Sequence, residues 1–373
     1  MILGYECLFL FINICFNNDV IIYLINNKFL DNLYNFINNI MNNINNNFNH
    51  IFEFNVIKYC IKLLSILIKV CEIKSNYINN FILYIPLFKL ITSKYYINSL
   101  IIDESSLSDL LAIWKFYSKK RNNNEEIINE IFKDDFIKLL ILLFYKLNNT
   151  KIIKEIFKIF CDFSQIDEDE KIEILFNSQI IQFFYNEIEN YQNLTIENLN
   201  LIILSCSNLA LGNIGQIEKI YESGVVFKII DIIIIIINKT LDNEIQKLLT
   251  NSIIFLSNII EGSIIEIKKN ILNYKKCIII EIYSKILKLH LNSRSKEDTI
   301  PCIIISINEL NNIYDELEEN LQKQYAFMLI NNSLDDSLAH YYDKKIIQNN
   351  LSEKIENIEE FIKNKKLTSF DSF

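Results

Sequence analysis

Residues 199–233 read LNLIILSCSNLALGNIGQIEKIYESGVVFKIIDII, and residues 245–272 read IQKLLTNSIIFLSNIIEGSIIEIKKNIL. The two stretches follow one pattern. Each is an apolar helical run that ends in Ser-Asn, at Ser207-Asn208 and Ser257-Asn258. A Gly stands four residues after each Asn, at Gly212 and Gly262, and a second apolar run starts near Ile217 and Ile267. The two Asn residues are 50 positions apart. Self-similarity at such a period marks a stack of small units, none of which can bury its apolar face alone.

The pattern extends in both directions. Upstream, 54–91 holds the run VIKYCIKLLSILIKV and then YIPLFKLI, which parallels GVVFKIID. Pro86 stands there at a position that opens a helix without losing a needed N–H. A further unit covers 107–147, with Ser108 or Asp109 as its expected cap. The next covers 151–188, with Asp162 in the Asn position and Asn177-Ser178 in the place of Ser223-Gly224. Downstream, 303–338 repeats the form. Positions 13, 69, 119, 162, 208, 258 and 308 then line up, spaced 43 to 56 residues apart, close to a repeat of about 40–47 residues with insertions.

SNLALGNIGQIEKIYESGVVFKIIDII resembles an armadillo repeat, and its Ser-Asn and Gly spacing is most similar to the later repeats of the importin-alpha family. Residues 303–338 resemble the last repeat of that family. The resemblance covers about 198–362. It implies an all-α, right-handed superhelical solenoid of about seven armadillo (ARM) repeats over 1–362. An Asn-rich loop at about 41–50 interrupts it, and a polar, fraying tail over 363–373 ends it.

The same resemblance implies a groove that binds peptides. In that family a Trp and an Asn one turn apart project from each inner helix, since residues four apart share a face. The Asn holds the peptide backbone, and the aromatic walls stack on Lys or Arg heads. Asn13, Asn208, Asn258 and Asn308 fall at the Asn position. Phe9, Leu204, Ile254 and Ile304 fall at the Trp position, Glu6 supplies the preceding acid, and Trp114 lies near the Trp register of its own unit. The implied function is that of a nuclear import adaptor, cytoplasmic and nuclear, which carries Lys/Arg-rich localisation segments of cargo. Its further partners would be transport receptors of the importin-beta class. The Lys/Arg-rich segment that recruits such receptors is not recognisable before Glu6, so the chain is expected either to be truncated or to act without that recruitment. The alternative is a general armadillo scaffold with a non-basic partner, which the loss of the groove Trp residues favours.

Composition bounds these readings. The 373 residues are 50% hydrophobic with 5 Gly and 2 Pro, a balance that favours helix over hairpins. A net charge of −9 disfavours a phosphate backbone as partner, so no nucleic acid is expected, and it suits a basic peptide. Eight Cys without a CxxC pair, with three scattered His, read as buried apolar residues in a reducing compartment, and no metal or cofactor site is expected. No GxSxG, P-loop, HExxH or GxGxxG occurs, so the chain reads as a non-enzyme. The apolar run at 229–237 contains Asp231 and is far shorter than the roughly 20 residues of a membrane span, which makes it a buried helix.

Overall fold

The structure is a computed structural model. It describes scattered helical positions between 23 and 68, then 104–120, 129, 132, 134–146, nearly all of 149–338, and 349–370. The described residues are helical and form no strand. Glu6, Phe9, Asn13, Pro86 and the Asn-rich loop lie outside them. Contacts divide the chain into two compact units, 1–163 and 164–373.

In the first unit, α1 (Glu104–Lys120) packs on α3 (Thr150–Phe163), and α2 (Asp134–Lys146) lies against α3. Seven apolar residues of α3, from Ile152 to Phe163, are buried at helical spacing. Lys115 of α1 reaches Glu155 of α3 at 2.6 Å. Two sequence readings change here. The helix begins before Ser108 and Asp109, so neither is its cap, and the Asp109 carboxylate instead accepts the Ser65 hydroxyl at 2.9 Å.

The second unit is built from triplets of helices. The first is α4 (Asp169–Asn177), α5 (Ile180–Glu189) and α6 (Ile196–Leu209). The next is α7 (Ile214–Glu222), α8 (Val225–Ile236) and α9 (Asn243–Gly262). The third is α10 (Ile265–Asn273), α11 (Ile278–Lys288) and α12 (Ser293–Asn312). Then come α13 (Glu319–Asn331) and α14 (Asn349–Phe370). The third helices α6, α9, α12 and α14 pack in sequence, each on the next. The 229–237 run forms most of α8, where seven residues are buried; its Asp231 turns outward to accept Tyr274 and Lys275 of the following triplet at 3.0 and 2.6 Å. Among the described residues no helix is long and apolar enough to cross a membrane.

Local chemistry starts and stops these helices. Thr195, Asp242 and Asn292 cap α6, α9 and α12 by accepting from the backbone N–H three residues on. Asn213 and Gln216 form a reciprocal capping box at α7. A Cβ at Gly212 would stand 1.9 Å from the Gln216 amide oxygen, and one at Gly262 would stand 2.4 Å from Ile217 Cδ1. The Gln216 side chain is held in the capping box, so Gly212 serves close approach there, whereas the Ile217 methyl is the end of a flexible side chain that can give way to a Cβ at Gly262.

Between first and second helices, a left-handed residue turns the chain: Gln179 at φ 65°, Gly224 at 82° and Cys277 at 58°. Just before two of them, the hydroxyls of Ser178 and Ser223 donate to the carbonyls of Leu175 and Ile220, both at 2.6 Å. The equivalent of Ser223-Gly224 is thus Ser178-Gln179, one residue beyond the sequence alignment.

Successive triplets are tied by bonds spanning 39 to 51 residues. Lys219 meets Glu173 at 2.6 Å, Lys228 meets Glu189 at 3.0 Å, and Asn258 donates to the Ser207 carbonyl at 3.0 Å; within the third triplet, Lys268 of α10 meets Glu309 of α12 at 2.7 Å. The last helix, α14, runs to Phe370, with Ile355, Ile358 and Ile362 buried and Lys365 placed 3.8 Å from the Tyr314 ring centroid.

Candidate functional site

The third helices α6 and α9 are buried on all sides but one. On α6 the open stripe is Glu197, Leu201, Leu204 and Asn208; on α9 it is Lys247, Ile254, Asn258 and Glu261. The spacings of three, four and seven place each set on one face. On α12 the stripe runs through Asp298, Cys302, Ile305 and Asn308. Ile304, which the sequence places at the aromatic position, is buried, and Ile305 takes the open place. Pro301 stands one turn before it, where it supplies no backbone N–H to the helix.

Asn208, Asn258 and Asn308 are thus at matching heights on three neighbouring helices, each half-buried. Their bonding differs. Asn208 Nδ2 donates to Ser164 Oγ at 3.0 Å, and Asn258 Nδ2 donates to the Ser207 carbonyl at 3.0 Å. Asn308 makes no side-chain hydrogen bond among the described residues. A carboxamide held through its N–H still has a free carbonyl oxygen, and Asn308 has both its oxygen and its two N–H donors.

Trp114 requires a correction. It is 1% exposed and meets Phe136 edge-on at 4.9 Å, so it faces the core of the first unit. A ring so enclosed offers no wall to a peptide. Leu204 and Ile254 hold the aromatic position on α6 and α9, so the described inner helices supply an aliphatic floor.

Beneath the open face runs a polar ladder that helical periodicity does not reveal. Asn251 Nδ2 donates to Asn200 Oδ1 at 2.8 Å, Thr299 Oγ1 pairs with Thr250 Oγ1 at 3.2 Å, and both pairs are buried. The Ser257 hydroxyl donates to the Cys302 carbonyl at 3.2 Å. Matching spacings of about 50 residues between Asn200, Asn251 and Pro301, and between Thr250 and Thr299, are the signal that could have located it.

A cavity of about 620 Å³ opens at the end of α6, lined by Ser164, Ile166, Asp169, Asn208, Leu211 and Gly212 among others. Its walls join the Asp169 carboxylate and the carboxamides of Gln165, Asn208 and Asn213 to aliphatic side chains. Between α9 and α12, the carboxylates of Asp298 and Glu261 both act on Cys302, whose thiol is pushed up to about 11 chiefly by burial. The open face therefore carries repeated amides, aliphatic side chains and, at this step, paired negative charge.

No protein-family model matches the sequence, and no curated protein is significantly similar to it. Solved structures do match. A designed armadillo repeat protein in complex with the peptide (KR)4 superposes with a TM-score of 0.52 at 13% identity, covering 70% of this chain and 94% of its own. The fold is an armadillo repeat solenoid. A computationally designed armadillo repeat protein for modular peptide recognition matches with a TM-score of 0.50 at 15% identity, over 71% of this chain and 96% of that one. An engineered protein matches over 97% of this chain and 94% of its own, with a TM-score of 0.53 at 12% identity. At these identities the likeness concerns the fold of the solenoid alone.

Proposed function

We propose that this armadillo solenoid is a binding scaffold that holds an extended segment of another protein across the open faces of α6, α9 and α12. The observation that carries the reading is the row Asn208, Asn258 and Asn308, whose amides sit at one height beside Leu204, Ile254 and Ile305. Backbone hydrogen bonds to several amides along one chain add up, so individual contacts can be weak.

The specific form of the proposal is a basic segment. Glu197, Glu261 and Asp298 lie on the open stripes, and a similar fold is seen with a (KR)4 peptide. An importin-alpha-like adaptor would use such a face for Lys/Arg-rich localisation segments of cargo moving between cytoplasm and nucleus, with importin-beta-class receptors as further partners. A non-basic partner is the second reading, favoured by the aliphatic residues at the aromatic positions and by Lys247 and Arg294, which are exposed at the same helices.

Titration of a fluorescent Lys/Arg-rich peptide into the full chain, by anisotropy at low and physiological salt, tests this directly. We expect a Kd of roughly micromolar order that weakens with salt. Asn308→Ala should weaken it about tenfold while leaving the unfolding midpoint unchanged, because Asn308 has no partner within the described fold. Absence of binding at low salt by the folded chain excludes the basic form and leaves the scaffold reading with another partner.

A further inference from the structure

The turns that join each third helix to the next first helix form an edge beside the inner-helix face, and the two meet at the cavity lined by both Asp169 and Asn208. Four such turns follow one another in the second unit. The first presents Glu168, Asp169 and Glu170, all exposed. The second presents Leu211, 71% exposed, and Ile214, 54% exposed; the third presents Ile264 and Ile265, at 42% and 46%. The fourth presents Asp315, Glu316 and Glu318, again exposed. The edge is therefore acidic, apolar, apolar and acidic in order.

Large aliphatic side chains exposed at equivalent places of consecutive repeats have no role in the packing of those repeats, and a grouped apolar patch with a polar rim is the mark of an interaction surface. Lys219, Lys268 and Lys323, three of the cations on the neighbouring first helices, are engaged by Glu173, Glu309 and Glu319. A second cavity, of about 270 Å³, opens between α10 and the fourth turn, where Glu266, Glu316 and Glu318 surround it with Asn270, Asn320 and the cation Lys269. The cavity below Leu211 lies at the other end and includes Asp169. Each end of the apolar strip thus has a recess bearing carboxylate.

We propose that this edge docks an extended segment of another protein with an apolar centre and Lys or Arg at both ends. Charge complementarity selects that occupant over an acidic or uniformly apolar one. Three steps between adjacent helices at 8–10 Å each span roughly 30 Å, which an extended chain covers in about nine residues at 3.3 Å apiece. The central side chains lie on Leu211, Ile214, Ile264 and Ile265, and the terminal cations enter the two recesses.

The probe is a labelled nine-residue peptide with two Lys/Arg at each end and a Leu/Val/Ser centre, titrated into the full chain beside an isomer with the cations moved to the centre. Two double variants separate the contributions. Leu211→Asp with Ile264→Asp puts a charge in each half of the strip, and the fold tolerates it because both side chains are exposed and Ile264 is an N-cap position without a capping side chain, where Asp is favourable. Glu316→Lys with Glu318→Lys reverses one flank. The expected result is binding of the first peptide, weaker binding of the isomer, and a loss of about tenfold or more in either variant, with Asn308→Ala unchanged. Failure to bind, equal binding of the isomer, or binding that tracks Asn308 instead overturns the proposal while leaving the inner-face reading untouched. Sedimentation of the chain alone supplies another decisive outcome: a dimer that Ile264→Asp dissociates shows that the edge is filled by a second copy, which also overturns it.

Discussion

The joint between α6 and α9 and the joint between α9 and α12 use the same letters for different purposes. At the first, a buried carboxamide pair, Asn200 with Asn251, fixes the register, and Asn258 reaches back to the carbonyl of Ser207. At the second, a pair of threonines stands in the buried place, and Ser257 turns its hydroxyl to the Cys302 carbonyl. That carbonyl also accepts the Ser306 hydroxyl at 2.8 Å, one turn on. With Pro301 at the position of Asn251 no side-chain amide is available, and Asn308 is left without a bond to the preceding helix. One Asn is thus a structural tie and the next leaves its amide without a partner among the described residues, although their sequence contexts differ little.

Breaking the buried pair gives the largest expected effect. Asn251→Leu strands the Asn200 oxygen in a buried site, at a cost of about 2–3 kcal/mol in urea unfolding. Thr299→Val at the other joint should cost only about 1 kcal/mol, because a hydroxyl keeps alternative acceptors on its own helix. Equal losses would mean that the two joints are held alike. The double variant Asn200→Leu, Asn251→Leu should recover part of the loss, since both polar groups are then gone.

Next in size is the contrast between the two ladder amides. Asn258→Ala removes the tie to Ser207 and should lower stability by about 1 kcal/mol as well as weaken peptide binding. Asn308→Ala should weaken binding alone. Stability losses of the same size in both would remove the distinction between tie and binding group.

The period, the helices and the repeated glycines can be read from the sequence because each rests on local pattern: Ser-Asn, Gly four residues on, and an apolar run at helical spacing. The buried polar ladder cannot, because Asn200, Thr250, Asn251 and Thr299 lie on faces that only a neighbouring repeat covers. A helical pattern taken one helix at a time assigns such residues to water. Trp114 fails for a related reason: a shift of one residue turns a side chain about 100° around a helix, enough to move a ring from the open face to the core. The turn register fails by one residue because the left-handed position is Gly in one copy and Gln in another.

That turn carries the third prediction. Gly224 adopts φ 82° without strain, while Gln179, exposed at the equivalent place, holds φ 65°. An L-residue there costs about 1 kcal/mol, so Gln179→Gly should stabilise the chain by about that amount. No gain in thermal midpoint would show that the Gln side chain or the flexibility of the unfolded chain offsets the relief.

The smallest effect sharpens the same comparison along the second helices. Glu187 of α5 stands where Ile232 of α8 is buried, and burial raises its carboxyl from the usual 4.5 to about 7. Because the folded value lies above the unfolded one, the native state holds a proton that the unfolded state has lost. Stability therefore falls as pH rises from about 4.5 to about 7 and is flat beyond. With the group only half-buried, solvent screening leaves roughly half a kcal/mol. Glu187→Gln should remove this component, so that the difference in urea midpoint between pH 5 and pH 8 is smaller in the variant than in the parent. A pH slope identical in the two proteins would mean that the carboxyl reaches water freely, and that α5 at this position is open where α8 is closed.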